Sequence, residues 1–366
     1  MFKPRFRITP VMTKALMEIE ACRHTIADLP LTATLLDALR ETARLLATHY
    51  STQIEGNRLT PDQVQTVLAR GGRFPGRERD EREVKHYYLA LKEVEILAQQ
   101  EGPLTETQLK RLHGLVLEGR KRPTPYRDGQ NVIRDGSSGR IVYLPPEATD
   151  VPVLMKELIQ WINQEVATQE LPVPIIAALA HYQFATIHPY YDGNGRTARL
   201  LTTLLLHRHD YGLKGIYALE EYYARHLQEY YDVLTVGPSH NYYEGRAKSA
   251  VTGFVAYFCA GMAEAFTKIQ AQARKAQEQG VSDQSLILRE LDAQQRKALS
   301  MFRKARRITA KELADFFGLS SRSASDLCVK WVQEGFLVSA NPSKKSRSYQ
   351  LTPRYEEVFL RRVAST

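Results

Sequence analysis

The sequence predicts a mainly α-helical protein with one short β-hairpin and a smaller second domain at its C-terminal end. Three observations carry that prediction. Apolar residues recur at helical spacing through most of residues 31–279. Two short β-prone runs flank a Gly-Ser turn, Asn131-Val132-Ile133 before it and Arg140-Ile141-Val142-Tyr143-Leu144 after it. Charge is uneven as well: residues 281–366 hold 16 Lys and Arg against 9 Asp and Glu, so +7 of the formal +9 lies in the last quarter. The expected division is residues 1–110 as an N-terminal helical region, 111–275 as the core, and 282–366 as the tail domain.

Taken in order, Leu31 to Tyr50 is an amphipathic helix with Leu35, Leu39, Leu45 and Leu46 at helical spacing. It runs into Ser51-Thr52-Gln53-Ile54-Glu55-Gly56-Asn57, where Gly56-Asn57 marks a helix end. If the helix continues that far, Ser51 and Glu55 share a face. Thr52 and Glu55 also fit a capping box, but such a box needs a helix after it. Thr60-Pro61-Asp62-Gln63 is the better helix start. A charged loop is expected from Gly71 to Asp80, then helices from Glu83 to Gln99 and from a cap at Thr105 through Glu118. After the hairpin, Val151 to Val166 and Pro174 to Ile187 are helical, the second apolar on nearly every face and therefore central. Leu219 to Leu234 holds Tyr222, Tyr223, Tyr230 and Tyr231, which pack a core, wall an adenine or accept a modification; the spacing does not choose. Ala247 to Gln279 reads as one long helix with a polar end.

The chemistry concentrates in His188-Pro189-Tyr190-Tyr191-Asp192-Gly193-Asn194-Gly195-Arg196, between the helix ending at Ile187 and an apolar helix from Thr197 to Leu206. Pro189 stops the incoming helix and biases His188 toward extended backbone. Gly193 and Gly195 let successive amides approach an anion just ahead of a helix N-terminus. Arg196 and Arg199, three apart, project from one helical face and suit a polyphosphate. Asp192 offers a hard oxygen for Mg²⁺, and an imidazole titrating near neutrality serves as a general base. Singly, each residue also fits an ordinary turn.

Together they resemble the signature of Fic proteins, His-Pro-Phe-any-Asp/Glu-Gly-Asn-Gly/Lys-Arg, with Tyr190 in place of the usual Phe. The resemblance implies a helical Fic core with a β-hairpin flap, and transfer of AMP from ATP to a Ser, Thr or Tyr hydroxyl of a protein with release of pyrophosphate. It implies His188 as base, Asp192 as Mg²⁺ ligand, and Gly193, Asn194, Gly195, Arg196 and Arg199 as ATP-binding residues. Ser51, Glu55 and Gly56 are similar to the family's inhibitory motif, Ser/Thr-x-x-x-Glu-Gly/Asn, whose glutamate pairs with the second arginine and blocks the γ-phosphate. Ile141, Val142, Tyr143 and Leu144 correspond to the flap that docks the target segment by strand addition. Self-modification is one outcome of such docking. Transfer of another phosphate-bearing group, or removal of AMP, is the alternative within the family.

The tail resembles a winged helix-turn-helix: Ile308 to Ala314, a turn at Phe316 to Ser320, a helix from Ser321 to Glu334, and a hairpin with its tip at Asn341 to Arg347. DNA reading would fall on Ser321, Arg322, Ser323 and Lys330, with Lys344, Lys345 and Arg347 near phosphates. The same fold also serves in protein docking or dimerisation, so DNA and a second copy of the chain are both candidate partners. A nucleotide-sensing, DNA-binding transcriptional regulator is the reading from a different functional class.

Composition narrows the setting. Hydrophobic content of 43% and charged content of 25% fit a soluble globular chain. Cys22, Cys259 and Cys328 are scattered and form no metal-binding pair, which predicts a reducing cytoplasm. The N-terminus lacks the apolar run of a signal peptide, and Val251 to Phe266 is too short and interrupted for a membrane span.

Overall fold

A computed structural model describes residues 2–29, 31, 33–134, 139–237, 239–278, 291–299, 301–303, 305–341 and 347–356. The chain is mainly helical and divides into two compact units, Met1–Lys275 and Ala276–Thr366.

The first unit contains α1 (Pro10–Asp28), α2 (Ala33–Ile54), α3 (Pro61–Arg70), α4 (Glu78–Ala98), α5 (Glu106–Glu118), β1 (Ile133–Arg134) and β2 (Ile141–Tyr143). These are followed by α6 (Val151–Thr168), α7 (Val173–Ile187), α8 (Asn194–Arg208), α9 (Glu220–Arg225), α10 (Leu227–Leu234) and α11 (Thr252–Glu278). Capping explains several of the boundaries. Thr60 and Thr105 each form a complete capping box with the glutamine three residues on, so α3 and α5 begin where the sequence signals. The loop expected over Gly71–Asp80 is shorter, because α4 starts at Glu78 with Glu78, Asp80 and Glu81 in its first turn. Those carboxylates interact favourably with the helix dipole.

Other boundaries differ from expectation. The tyrosine-rich helix is two helices, broken at His226, whose φ of −115° and ψ of 41° are not helical. The last long helix starts at Thr252 rather than Ala247, after a tight 3₁₀ turn over Arg246–Lys248. α1 has no counterpart among the expected helices, although Thr9 caps it, Pro10 opens it, and Met12, Ala15, Ile19, Cys22 and Ile26 bury one stripe.

One hydrophobic core spans this unit from Met12 to Phe266. At its centre is α7, of which every residue from Pro174 to Phe184 is buried; it packs on α6 and α8. α8 also packs on α4 and α5, and α2 lies against α4 and α9. The ends of α7 and α8 are thereby held rigidly where the polar loop joins them. β1 and β2 pair antiparallel, Ile133 opposite Tyr143; the expected turn at 135–138 lies outside the described residues.

The second unit has its own core around the fully buried Trp331, with Leu313, Cys328, Phe336 and Leu351. It contains α12 (Ala293–Ala298), α13 (Ala310–Phe317) and α14 (Ser321–Gln333). Three antiparallel strands, β3 (Ile308–Thr309), β4 (Leu337–Asn341) and β5 (Ser348–Leu351), are ordered β3-β5-β4. The three cysteines are unpaired and buried. Among the described residues no helix is long and apolar enough to cross a membrane.

Candidate active site

The polar loop is bounded by two backbone devices. His188 ends α7 in the left-handed region, φ 52° and ψ 59°, and its N–H closes on the Phe184 carbonyl at 3.0 Å. This corrects the extended conformation expected from Pro189. The proline disfavours right-handed α backbone at His188, and the left-handed cap satisfies that constraint while still meeting an orphan helix carbonyl. Such a conformation is strained for a residue with a Cβ and is held by its surroundings. At the other boundary, Gly193 caps α8 with φ 76°, where a side chain is disfavoured.

The surroundings that hold the loop include two residues that motif reading missed. Arg127, buried just ahead of the hairpin, donates to the His188 carbonyl at 3.0 Å and the Gly129 carbonyl at 3.0 Å, and also bonds the Pro146 carbonyl. Its own N–H donates to the Pro189 carbonyl at 2.9 Å. From α5, His113 lies flat on the Tyr190 ring, centroids 3.4 Å apart, and its Nε2 meets the Asp192 carbonyl at 2.9 Å. Neither residue belongs to a recognisable local pattern, so only the fold brings them to the loop. The Asn194 side chain is occupied within the loop: it accepts from the Tyr190 N–H at 3.0 Å and donates to the Tyr190 carbonyl at 2.8 Å. Its backbone N–H stands in the first turn of α8, where helix geometry leaves it without an intrahelical partner.

The His188 ring is half-buried. Burial lowers its pKa to about 4, Arg127 adds to the shift, and the Ala185 carbonyl, Glu55 and Asp192 oppose it. The imidazole is therefore neutral at pH 7. A proton on Nδ1 is directed at the Ala185 carbonyl, 3.4 Å away, which leaves the Nε2 lone pair as the acceptor.

Beyond the imidazole lies the N-terminus of α8, whose first amides have no intrahelical partners. Arg196 Nη2 donates to Asp192 Oδ1 at 3.1 Å, and the Asp192 side chain is 60% exposed. Arg199, one turn on, is fully buried: Nε donates to Ser51 Oγ at 2.7 Å, and Nη2 donates to the Ser51 carbonyl at 2.9 Å and to Glu55 Oε1 at 2.7 Å. α2 continues to Ile54, and the chain turns at Gly56 with φ 91°. A Cβ at Gly195 would stand 2.4 Å from Glu55 Oε1, so the glutamate carboxylate lies directly against the α8 N-terminus. It occupies the position that helix geometry offers an anion. Ser51, Glu55, Gly195 and Arg199 therefore form one contact across more than 140 residues of sequence.

Of the hairpin residues, Ile141 is exposed and Val142 half-buried, whereas the Tyr143 hydroxyl donates to the Thr186 carbonyl at 2.6 Å. Leu144 bonds through its N–H to the His240 carbonyl and through its carbonyl to the Tyr242 N–H. Tyr223 and Tyr230 are buried, and Tyr231 is exposed with its hydroxyl on the Ile54 carbonyl at 3.3 Å. In the second unit, Ser321, Arg322, Ser323 and Lys330 are exposed on α14, and Arg347 is exposed before β5; Lys344 and Lys345 lie outside the described residues. Among the described residues no three His, Cys, Asp or Glu side chains converge on a metal-sized site.

An imidazole acceptor, an anion-binding helix end and two arginines describe a site for phosphate-bearing substrates held inside a helical bundle. Residues 103–206 match the Fic/DOC family, and the chain carries a Fic domain. It is 31% identical over 202 residues to the protein adenylyltransferase Fic of Drosophila willistoni, an alignment covering 54% of this chain and 39% of that protein. It is 30% identical over 229 residues to the protein adenylyltransferase fic-1 of Caenorhabditis elegans, covering 60% and 44%. The chain thus spans less than half the length of these curated relatives. The fold is similar to a Fic family protein from Desulfovibrio desulfuricans, with TM-score 0.61 and 24% identity over 96% of this chain and 99% of that one. It is also similar to a Fic-domain-containing signaling protein from Bacteroides thetaiotaomicron, with TM-score 0.59 and 24% identity over 72% and 97%.

Proposed function

We propose that the chain is a protein adenylyltransferase that moves AMP from ATP to a Ser, Thr or Tyr hydroxyl of a protein, releases pyrophosphate, and is inhibited by its own Glu55. The observation that carries this reading is the Glu55 carboxylate, bonded to Arg199 at 2.7 Å and lying against Gly195 at the α8 N-terminus. A carboxylate in that position is a substitute for a phosphate oxygen, and one guanidinium cannot serve both.

In the uninhibited state, His188 Nε2 takes the proton of the target hydroxyl as that oxygen attacks the α-phosphorus. The bond from the α-phosphorus to the bridging oxygen breaks, and pyrophosphate leaves. The Gly193, Asn194 and Gly195 amides and the Arg196 and Arg199 side chains hold the triphosphate and its developing charge. Asp192, exposed and with a free carboxylate oxygen, suits Mg²⁺, which usually takes one or two carboxylates beside substrate phosphates. When bound there, the ion would neutralise phosphate charge. Ile141 and Val142 dock the target segment by main-chain pairing, with Tyr143 and Leu144 anchoring that strand to the core. For the tail we propose a winged helix, supported by helices α13 and α14 followed by antiparallel β4 and β5. DNA is the partner proposed for the exposed face of α14; a gel shift that does not weaken steeply with salt would reject it.

The test of the catalytic reading is incorporation of α-labelled against γ-labelled ATP into protein by wild type, His188→Ala and Glu55→Gly with Mg²⁺. The expected result is α label that rises in Glu55→Gly and vanishes in His188→Ala. Label from the γ position, or none from either, overturns the proposal.

A further inference from the structure

Glu55 is the more accessible half of its ion pair: its side chain is 29% exposed, against 1% for Arg199. If Glu55 is withdrawn to admit a phosphate, Arg199 becomes a buried charge that has lost its partner, a state folded proteins tolerate poorly. A second buried carboxylate is close enough to Arg199 to feel its charge. Glu220, the first residue of α9, is 3% exposed, and its Oε1 accepts from the hydroxyl of the fully buried Tyr87 at 3.1 Å. The Ser51 hydroxyl lies beside the Tyr87 oxygen and, as a donor toward it, lowers the phenol's pKa against the rise that burial causes. Ser51 Oγ accepts the Nε–H of Arg199 at 2.7 Å.

Every donor in this chain points the same way. Arg199 gives to Ser51, Ser51 to Tyr87, and Tyr87 to Glu220. Opposite charges stand at the two ends, and the hydroxyls between them are polarised in one sense, which strengthens each bond in the series. The four residues come from α8, α2, α4 and α9, so the chain exists only in the assembled bundle. None of the three hydrogen-bonding steps involves Glu55.

We propose that Glu220 is the standing counter-charge of Arg199, a positioning residue that holds the guanidinium oriented for phosphate, through Tyr87 and Ser51, when Glu55 is withdrawn. Ser51 then belongs to both states of the site: it accompanies Glu55 in the closed state and keeps Arg199 in place in the open one. Burial raises the Glu220 pKa, and its own backbone N–H, Arg199 and Tyr87 oppose that shift. The groups that Glu220 serves thus favour its charged form.

The first test needs no nucleotide and does not depend on the function proposed above. Thermal unfolding is measured for the full-length wild type, Glu220→Gln, Glu55→Gly and the double variant. Glutamine keeps the size and can still accept from Tyr87, so the substitution removes the charge alone. The expected result is a double variant whose Tm falls below the sum of the two single shifts by roughly 5 °C or more. A double variant that does not fold, while both singles do, is the extreme of the same result. Shifts that add to within about 1 °C overturn the proposal.

The second test rests on the assignment of Arg199 to the terminal phosphate. In the Glu55→Gly background, calorimetry should show Glu220→Gln and Tyr87→Phe each weakening ATP binding by about tenfold while leaving ADP binding within about twofold. Equal weakening of both nucleotides signals general damage and overturns the positioning role. If Glu55→Gly itself binds ATP and ADP alike, the assignment of Arg199 fails, and the thermal measurement decides the role of Glu220.

Discussion

Arg196 and Arg199 leave the same helix one turn apart, yet they are neutralised in different ways. Arg196 meets Asp192, four residues back, in a pair whose carboxylate is largely exposed. Arg199 meets Glu55 and Ser51, which arrive on α2 from more than 140 residues away, in a pair whose guanidinium is fully buried. The local pair closes within the loop and the first turn of α8. The distant pair requires α2 to be docked, so it is the one that a conformational change can open. Under the proposed inhibition, a blocking carboxylate placed on a separate helix can leave without disturbing the rest of the site.

Removing the proposed base should have the largest effect: His188→Ala should lower α-label transfer in the Glu55→Gly background by roughly 10²–10⁴-fold. Opening only the distant pair, Glu55→Gly should raise transfer by about tenfold or more over wild type, with little change in Tm if a second counter-charge remains. The contrasting change in the local pair, Asp192→Asn, should instead lower transfer and raise the Mg²⁺ concentration needed for half-maximal labelling. A rise in labelling from Asp192→Asn would mean that the two pairs play the same inhibitory part.

A subtler probe of the distant pair is Gly195→Ala. Its methyl would stand 2.4 Å from Glu55 Oε1, at the movable end of a side chain, so the carboxylate should be displaced. Labelling should rise a few-fold in an otherwise wild-type chain and not rise in the Glu55→Gly background. On the stability side, Arg127→Leu strands the His188, Gly129 and Pro146 carbonyls and should cost about 3 kcal/mol in urea unfolding.

The smallest effect concerns pH. Burial holds His113 and His207 at about 4 and His181 at about 3, below the ordinary 6.5. A histidine whose folded pKa is depressed contributes its full stability above pH 6.5 and loses it as pH falls through the folded value. The Tm should therefore be flat from pH 8 to 7 and decline steadily below 6.5. By NMR, His188 in the nucleotide-free protein should titrate near 4, and a midpoint near 6.5 would show that burial does not hold it neutral.

Legibility from sequence followed the length scale of the interaction. Capping boxes at Thr60 and Thr105 operate over three residues and were read correctly. The break at His226 was not, because the tyrosine spacing on either side still fits one helix and only packing separates α9 from α10. α1 was overlooked although its cap and buried stripe were both present. Asn194 was expected among the ATP-binding residues, and the motif gave no sign that its side chain also closes the loop on Tyr190. A motif names the residues that cluster, not which of them face inward to support the others.

The sequence by itself determined the helical class, the central burial of α7, the polar loop with its imidazole, and the two arginines on one helical face. Each depends on neighbours a few positions apart and on backbone preferences that every chain shares. The tertiary structure decided which carboxylate neutralises which arginine, that Arg127 and His113 brace the loop, and that Ser51, Tyr87 and Glu220 line up behind Arg199. Those contacts join helices distant in sequence, and their energy depends on burial, which no local pattern encodes.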